Sequence, residues 1–160
     1  MKVIAEMPDD AHKRVMEKTG YWGSKAAGCI FLCTATKNLM LVLRSRHVSE
    51  PHTWGMVGGA IDKGESTRKA LKREIFEEVG HRGSPILIPL SKFEAKGFVY
   101  YNFVAAIPNQ FIPKLNDEAD DYKWFNVDMF PTPLHPGVKR LLKNQSDMQI
   151  LKSLTRNRGS

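Results

Sequence analysis

Residues Gly59 to Gly80 read GAIDKGESTRKALKREIFEEVG, and the glycines before this run and at its start, Gly55, Gly58, Gly59 and Gly64, break regular structure across Thr53 to Gly64. A charged, helix-forming run follows from Ser66 to Val79, so the segment is expected to be a loop that feeds a helix. At roughly 100° per residue, Leu71, Ile75 and Val79 fall in one narrow apolar sector that should face a sheet. Glu74, Glu77 and Glu78 gather on the flank beside it, because spacings of three and four bring side chains together. Like charges at such spacings destabilise a helix by about 0.2 to 0.5 kcal/mol per pair, and Lys72 and Arg73 offset only part of that. A bound cation removes the conflict. Mg²⁺ usually takes one or two carboxylates and completes its shell with water and substrate phosphates, so Mg²⁺ is the first expectation and Mn²⁺ a substitute. A solvated acidic face on a surface helix is the competing reading.

Working outward, Lys25 to Thr34 and Leu39 to Arg44 are rich in apolar and β-branched residues around Thr36-Lys37-Asn38, which predicts two strands joined as a hairpin. Strand-like sequence returns at Ile86 to Glu94 and Phe98 to Ile107, then after the polar stretch Lys114 to Asp121 at Tyr122 to Asn126. Pro131, Pro133 and Pro136 lead into a last helix over Pro136 to Lys143. Strands, helix, strands and helix in that order predict an α/β sandwich with a mixed sheet. A length of 160 residues at 42% apolar content suits a single domain spanning 1–160. Within it, 1–22 reads as a peripheral segment with a short helix, and 147–160 as a basic tail expected to be mobile, Arg156 to Ser160 above all.

Cys29 and Cys33, four apart on one strand, lie too far along it to bond to each other and read as buried thiols. With no leader-like start and no long uncharged apolar run, a cytoplasmic protein without a membrane span is expected. The net charge of +7 is concentrated in His135 to Ser160, where Lys139, Arg140, Lys143, Lys152, Arg156 and Arg158 face Asp147 alone. Without interleaved aromatics or an RNA-binding motif, this reads as a solvated basic end, and nucleic-acid binding does not follow. His52, His81 and His135 lack a paired ligand pattern, which argues against zinc.

The spacing of Gly59, five residues, Glu65, seven residues, then Arg73-Glu74-Ile75-Phe76-Glu77-Glu78-Val79-Gly80 resembles the Nudix box of the MutT-related hydrolases. The likeness covers 22 consecutive positions. It implies a Nudix-type α/β/α sandwich and metal-dependent hydrolysis of a diphosphate linkage in a nucleotide-like small molecule. The linkage would join a nucleoside diphosphate to another group, as in ADP-ribose, a nucleotide sugar or a dinucleoside polyphosphate, or lie in a MutT-like nucleoside triphosphate. By the resemblance, the Gly59 carbonyl and the carboxylates of Glu74, Glu77 and Glu78 hold the metal and Arg73 braces them. One of Glu77, Glu74 or Glu118 takes the water proton, with Glu77 favoured. The chain departs from the family at His81, where an aliphatic residue is usual, and at Met56-Val57, where many relatives have Leu-Pro.

The segment Glu118-Ala119-Asp120-Asp121-Tyr122-Lys123-Trp124-Phe125 resembles a second Nudix stretch whose glutamate approaches the metal. Glu118 is therefore chosen over Asp120 and Asp121, against the plainer reading of a polar loop. Arg44 and Arg46, at a strand end, are candidates for gripping substrate phosphate, with solvated charges as the alternative. Phe98, Tyr100, Tyr101 and Phe103 are more simply packing residues than a base clamp. The rival function is a catalytically inactive Nudix-fold module that binds nucleotide, RNA or a protein partner. The intact glutamates and Arg73 weigh against it. Isopentenyl diphosphate isomerase, which shares the fold, is set aside because the chain is short and lacks its cysteine motif. A homodimer is compatible with the sequence but not required by it.

Overall fold

The computed structural model describes residues 25–156; the expected peripheral helix within 1–22 and the last four residues lie outside the described residues. Strand β1 (Lys25–Cys33) is buried at every position after Lys25. Such an unbroken apolar run suits a central strand covered on both faces. A tight turn carries it into β2 (Leu39–Arg44), with Lys37 at φ 65° and its N–H donating to the carbonyl of Cys33 at 2.8 Å. Strand β6 (Phe98–Ile107) runs parallel to β1 along its whole length, from Lys25 opposite Val99 to Cys33 opposite Ile107. Antiparallel pairing then adds β5 (Ile86–Ala95) to β6 and β7 (Ala119–Phe125) to β2. The sheet is mixed, as expected from the sequence.

A fork in this sheet organises the rest. β1 and β2 pair only at Phe31 with Met40 and Leu32 with Leu39, and then part. The gap is filled by β3 (Trp54–Gly55), which pairs with β2, and β4 (Val57–Ala60), which pairs with β1. Half of the glycine-rich segment expected as loop is therefore strand: in the fork its backbone finds ladder partners on both sides. Glycine is what admits it. A β-carbon on Gly58 would stand 2.1 Å from the Ala27 carbonyl oxygen, a backbone atom that cannot step aside.

Helix α1 (Thr67–Val79) starts at Ser66, whose side chain accepts from the Lys69 N–H at 3.2 Å, and stops at Gly80, left-handed at φ 73°. Leu71, Ile75 and Val79 are buried against Cys29, Phe31, Met40 and Phe103 on one face of the sheet, as their spacing predicts. The alternate residues Ile30, Leu32, Leu39, Leu41 and Val104 form the other face. That face is covered by α2 (Pro136–Lys143) and α3 (Gln145–Leu154) through Val138, Leu141 and Leu151. An α/β/α sandwich results.

Helix α3 corrects the reading of 147–160 as a mobile tail, since the stretch through Leu154 is helical and packed. Charge count hid the spacing that matters: Asp147 and Leu151, one turn apart, are both buried. The Asp147 carboxylate accepts from the backbone N–H of Ser91 at 2.8 Å and its hydroxyl at 2.5 Å, so a buried charge is met by two donors. Asn144 caps the helix by accepting from the Asp147 N–H at 3.0 Å.

His81, the departure from the usual aliphatic residue, packs as an aromatic. Its ring centroid lies 6.0 Å from Phe31 and 4.8 Å from Phe111. Burial lowers its pKa below the ordinary value. The unfolded chain therefore takes up the proton first, and the stability held above about pH 6.5 is lost as pH falls through that region. His81→Leu should flatten the dependence of the melting temperature on pH between about pH 7.5 and 5, measured by thermal denaturation across that range. An unchanged slope would show that other groups set it.

Candidate active site

Arg73, in the middle of α1, ties the glycine loop to the acidic flank of the helix. Its Nε and Nη2 donate to the two carboxylate oxygens of Glu65 at 2.9 and 3.0 Å, and Nη1 donates to Glu74 at 2.9 Å. Nη2 also reaches the Ala60 carbonyl at 3.0 Å, while Asp62 lies 3.7 Å away. The fork of a guanidinium suits this many acceptors, and pairing with Glu65 and Glu74 pushes its already high pKa further up. Glu65 closes the loop on itself by accepting the Asp62 N–H at 3.0 Å.

Two of the three glutamates then stand buried against β4. Glu74 is 2% exposed, and a β-carbon on Gly59 would fall 2.5 Å from its carboxylate, so the bare backbone of Gly59 is what lets the two approach. Glu78 is 8% exposed and accepts the Gly58 N–H at 3.1 Å. Its charge also reaches Cys29, whose thiol pKa is pushed up by burial first and by Glu78 second. Cys29 and Cys33 are both free and buried. Glu77 differs: its side chain is 49% exposed, with a long 3.5 Å hydrogen bond from Arg73.

The helical flank thus forms as expected, with the Arg73 guanidinium against Glu74 and Glu77. Among the described residues, no three acidic, histidine or cysteine side chains stand close enough together to hold a metal ion as they are. A divalent ion would fit a smaller set. Mg²⁺ needs only one or two carboxylates, and Glu74 and Glu78 offer two at one glycine strand whose bare backbone lets them come close.

Glu118 lies in the loop before β7, which is fastened at both ends. Asn116 donates its N–H to the Glu78 carbonyl at 3.3 Å, and buried Ser45 binds the carbonyl of Glu118 through its N–H at 2.9 Å and that of Asp117 through its hydroxyl at 2.6 Å. Ser45 sits between the two arginines singled out in the sequence and passed unnoticed there. Only its complete burial marks it.

On the α2 side of the fork lies a cavity of about 310 Å³, and Gly58 and Glu78 form part of its lining. Arg44 joins them, but its guanidinium already donates through Nε and Nη2 to the Ser49 carbonyl, and so also braces the loop after β2. Arg46 is exposed and does not line the cavity. Of the aromatics, Phe98 and Phe103 are core residues, while Tyr100 forms cavity wall.

A family model described as NUDIX domain matches residues 24–145. The chain belongs to the NUDIX domain family. Over 32 residues this Nudix chain is 53% identical to an RNA pyrophosphohydrolase of Rhodopseudomonas palustris, a match covering 20% of the chain and 19% of that protein, well under two thirds of its length. It is 29% identical over 119 residues to nucleoside triphosphatase NudI of Salmonella arizonae, covering 64% of the chain and 77% of that relative. Among solved structures it is similar to the Nudix hydrolase RenU of M. smegmatis, with a TM-score of 0.65 at 22% identity, over 84% of this chain and 88% of that one. That likeness concerns the fold. No helix among the described residues is long and apolar enough to cross a membrane.

Removing Arg73 leaves Glu74 buried without its cation. Arg73→Met should lower the unfolding free energy by about 3 kcal/mol, and Arg73→Lys, which keeps charge but not the fork, by less. Urea denaturation checks both; equal stability in all three proteins would contradict the bracing role.

Proposed function

We propose that this Nudix domain is a metal-dependent hydrolase that cuts a diphosphate linkage in a nucleotide-like substrate. The observation that carries the reading is the pair of buried carboxylates, Glu74 against Gly59 and Glu78 bonded at Gly58, of which Glu78 and Gly58 line the cavity. The names of the relatives, an RNA pyrophosphohydrolase and a nucleoside triphosphatase, both concern phosphoanhydrides and support the class of bond.

The Gly59 carbonyl with Glu74 and Glu78 would hold Mg²⁺, or Mn²⁺ in its place, with Glu77 beside them. When bound, such an ion acidifies water and neutralises charge developing on the phosphate oxygens. The chain's own residues do the rest. Arg73 holds Glu74 in one position, so that its carboxylate is oriented before substrate arrives. Glu77, half exposed and loosely held, is the carboxylate best placed to turn and accept a water proton; Glu74 is pinned by Arg73, and Glu118 is held in its loop with Asn116. Arg44, in the cavity wall, would face substrate phosphate.

Glu77→Gln and Glu78→Gln should each lower Mg²⁺-dependent product release by about a hundredfold or more, with circular dichroism unchanged. The assay is run on ADP-ribose, nucleotide sugars, dinucleoside polyphosphates, triphosphorylated RNA, and normal and oxidised nucleoside triphosphates. Full activity in both variants would refute the assignment. Nucleotide binding without turnover of any substrate would place the domain among binding-only modules.

A further inference from the structure

Where β5 bulges, two of its residues, Leu90 and Ser91, face the single Asn102 of β6, because Pro89 pairs with Phe103 and Lys92 with Tyr101. The irregularity takes Ser91 out of the ladder register, and its backbone groups find side chains instead. Asp147, reaching in from α3, accepts the Ser91 N–H at 2.8 Å and its hydroxyl at 2.5 Å. Asn102 donates its Nδ2 to the Ser91 carbonyl at 2.9 Å. That bond settles which way the amide lies, with Nδ2 turned to Ser91 and Oδ1 turned away. Among the described residues nothing donates to this Oδ1, and it is not sealed off from solvent, so it opens on the cavity that Asn102 and Ser91 line. Turning the amide over would set two oxygens against each other and lose a bond. The acceptor is therefore oriented before any ligand arrives.

Asn102 stands two strands from the acidic patch. Gly58, whose N–H holds Glu78, pairs with Gly28, and Gly28 pairs with Asn102, a span of about 10 Å across the sheet. Between them the floor is the tip of the Tyr100 ring, whose hydroxyl occupies the place a β-carbon on Gly28 would take. Met56, Phe93, Tyr100 and Leu141 give the cavity apolar walls, and the Arg140 guanidinium lies 4.1 Å from the centre of the Phe93 ring. Flat apolar walls with one directed acceptor suit a heteroaromatic ring that carries N–H groups on its edge. A sugar suits them less, because its several hydroxyls would each need a partner. With a phosphate held at Glu78, the rest of a nucleotide would lie across Tyr100 toward Asn102.

We propose that Asn102 is a specificity-determining residue whose Oδ1 accepts from an amino group on the substrate's base, and that Asp147, acting through Ser91, is the positioning residue that keeps it so turned. This rests on the hydrolase reading for where the phosphates lie, while the base contact itself needs neither metal nor turnover. A ring carbonyl at the same place would bring two acceptors together and is disfavoured. ADP and inosine diphosphate are the probes, since they carry the same phosphates and differ by an amino against an oxo group, so charge cancels from the comparison. By calorimetry on the full chain in chelator, ADP should bind about tenfold more tightly than inosine diphosphate. Asn102→Leu should bring the two within about twofold of each other by weakening ADP. Asp147→Ala should shrink the ratio in the same direction, whereas Asp147→Asn, which can still bond both the Ser91 N–H and its hydroxyl, should keep it. A merely structural Asp147 would change the melting temperature and leave the ratio alone, and that result in Asp147→Ala would overturn its positioning role. Equal affinity for the two nucleotides in the parent, no binding of either at millimolar concentration, or an undiminished ratio in Asn102→Leu would overturn the assignment of Asn102. With Mg²⁺ present, the preference should reappear in kcat/KM on ADP-ribose against its hypoxanthine counterpart. The same preference in binding by a protein that turns over nothing would sustain the base contact while the hydrolase reading fails.

Discussion

Arg73 reaches from the centre of α1 to Glu65, Glu74 and the Ala60 carbonyl, and the disposition of the whole acidic patch depends on that reach. Buried carboxylates at helical spacing repel one another and are costly to desolvate, so without a cation the helix would not place them against a sheet. The guanidinium meets that cost with several charge-assisted bonds at once. In doing so it fixes the turn between β4 and α1, which delivers Gly58 and Gly59 to the fork. One side chain thereby couples helix, loop and strand.

The fork explains why the site is reached from the other face of the sheet. Helix α1 packs on one side, yet the cavity that Glu78 lines is roofed by α2 on the other. Only where β1 and β2 separate, and β4 crosses with no side chain at Gly58, can a helix on one face contribute to a groove on the opposite one. Asp147 performs a parallel task at the far edge, holding the β5 bulge so that neighbouring side chains share one wall.

Much of this was legible in local sequence because it is local physics. The period of Leu71, Ile75 and Val79, the Ser66 cap and the Gly80 stop are set within a few turns of chain, as is the turn at Lys37. What escaped depended on distant partners. Trp54 to Ala60 looked like loop because its ladder partners lie on strands that part. Asp147 looked like a lone acid in a basic tail because its two donors sit on Ser91, 56 residues earlier. Arg140 looked like a solvated charge because only the fold stacks it on Phe93. Arg73 was read as bracing the glutamates; in the structure it bonds Glu74 and Glu77, while Glu78 accepts from the Gly58 N–H.

By the proposed function, Glu74 and Glu78 together with the Gly59 backbone take a divalent ion while Arg73 keeps the patch in place. A crystal soaked in Mn²⁺ and measured at its absorption edge tests it most directly. The expected result is an anomalous peak bounded by the Gly59 carbonyl and those two carboxylates, with the Arg73–Glu65 bonds intact. Ordered carboxylates with no anomalous peak beside them at millimolar Mn²⁺ would contradict the account.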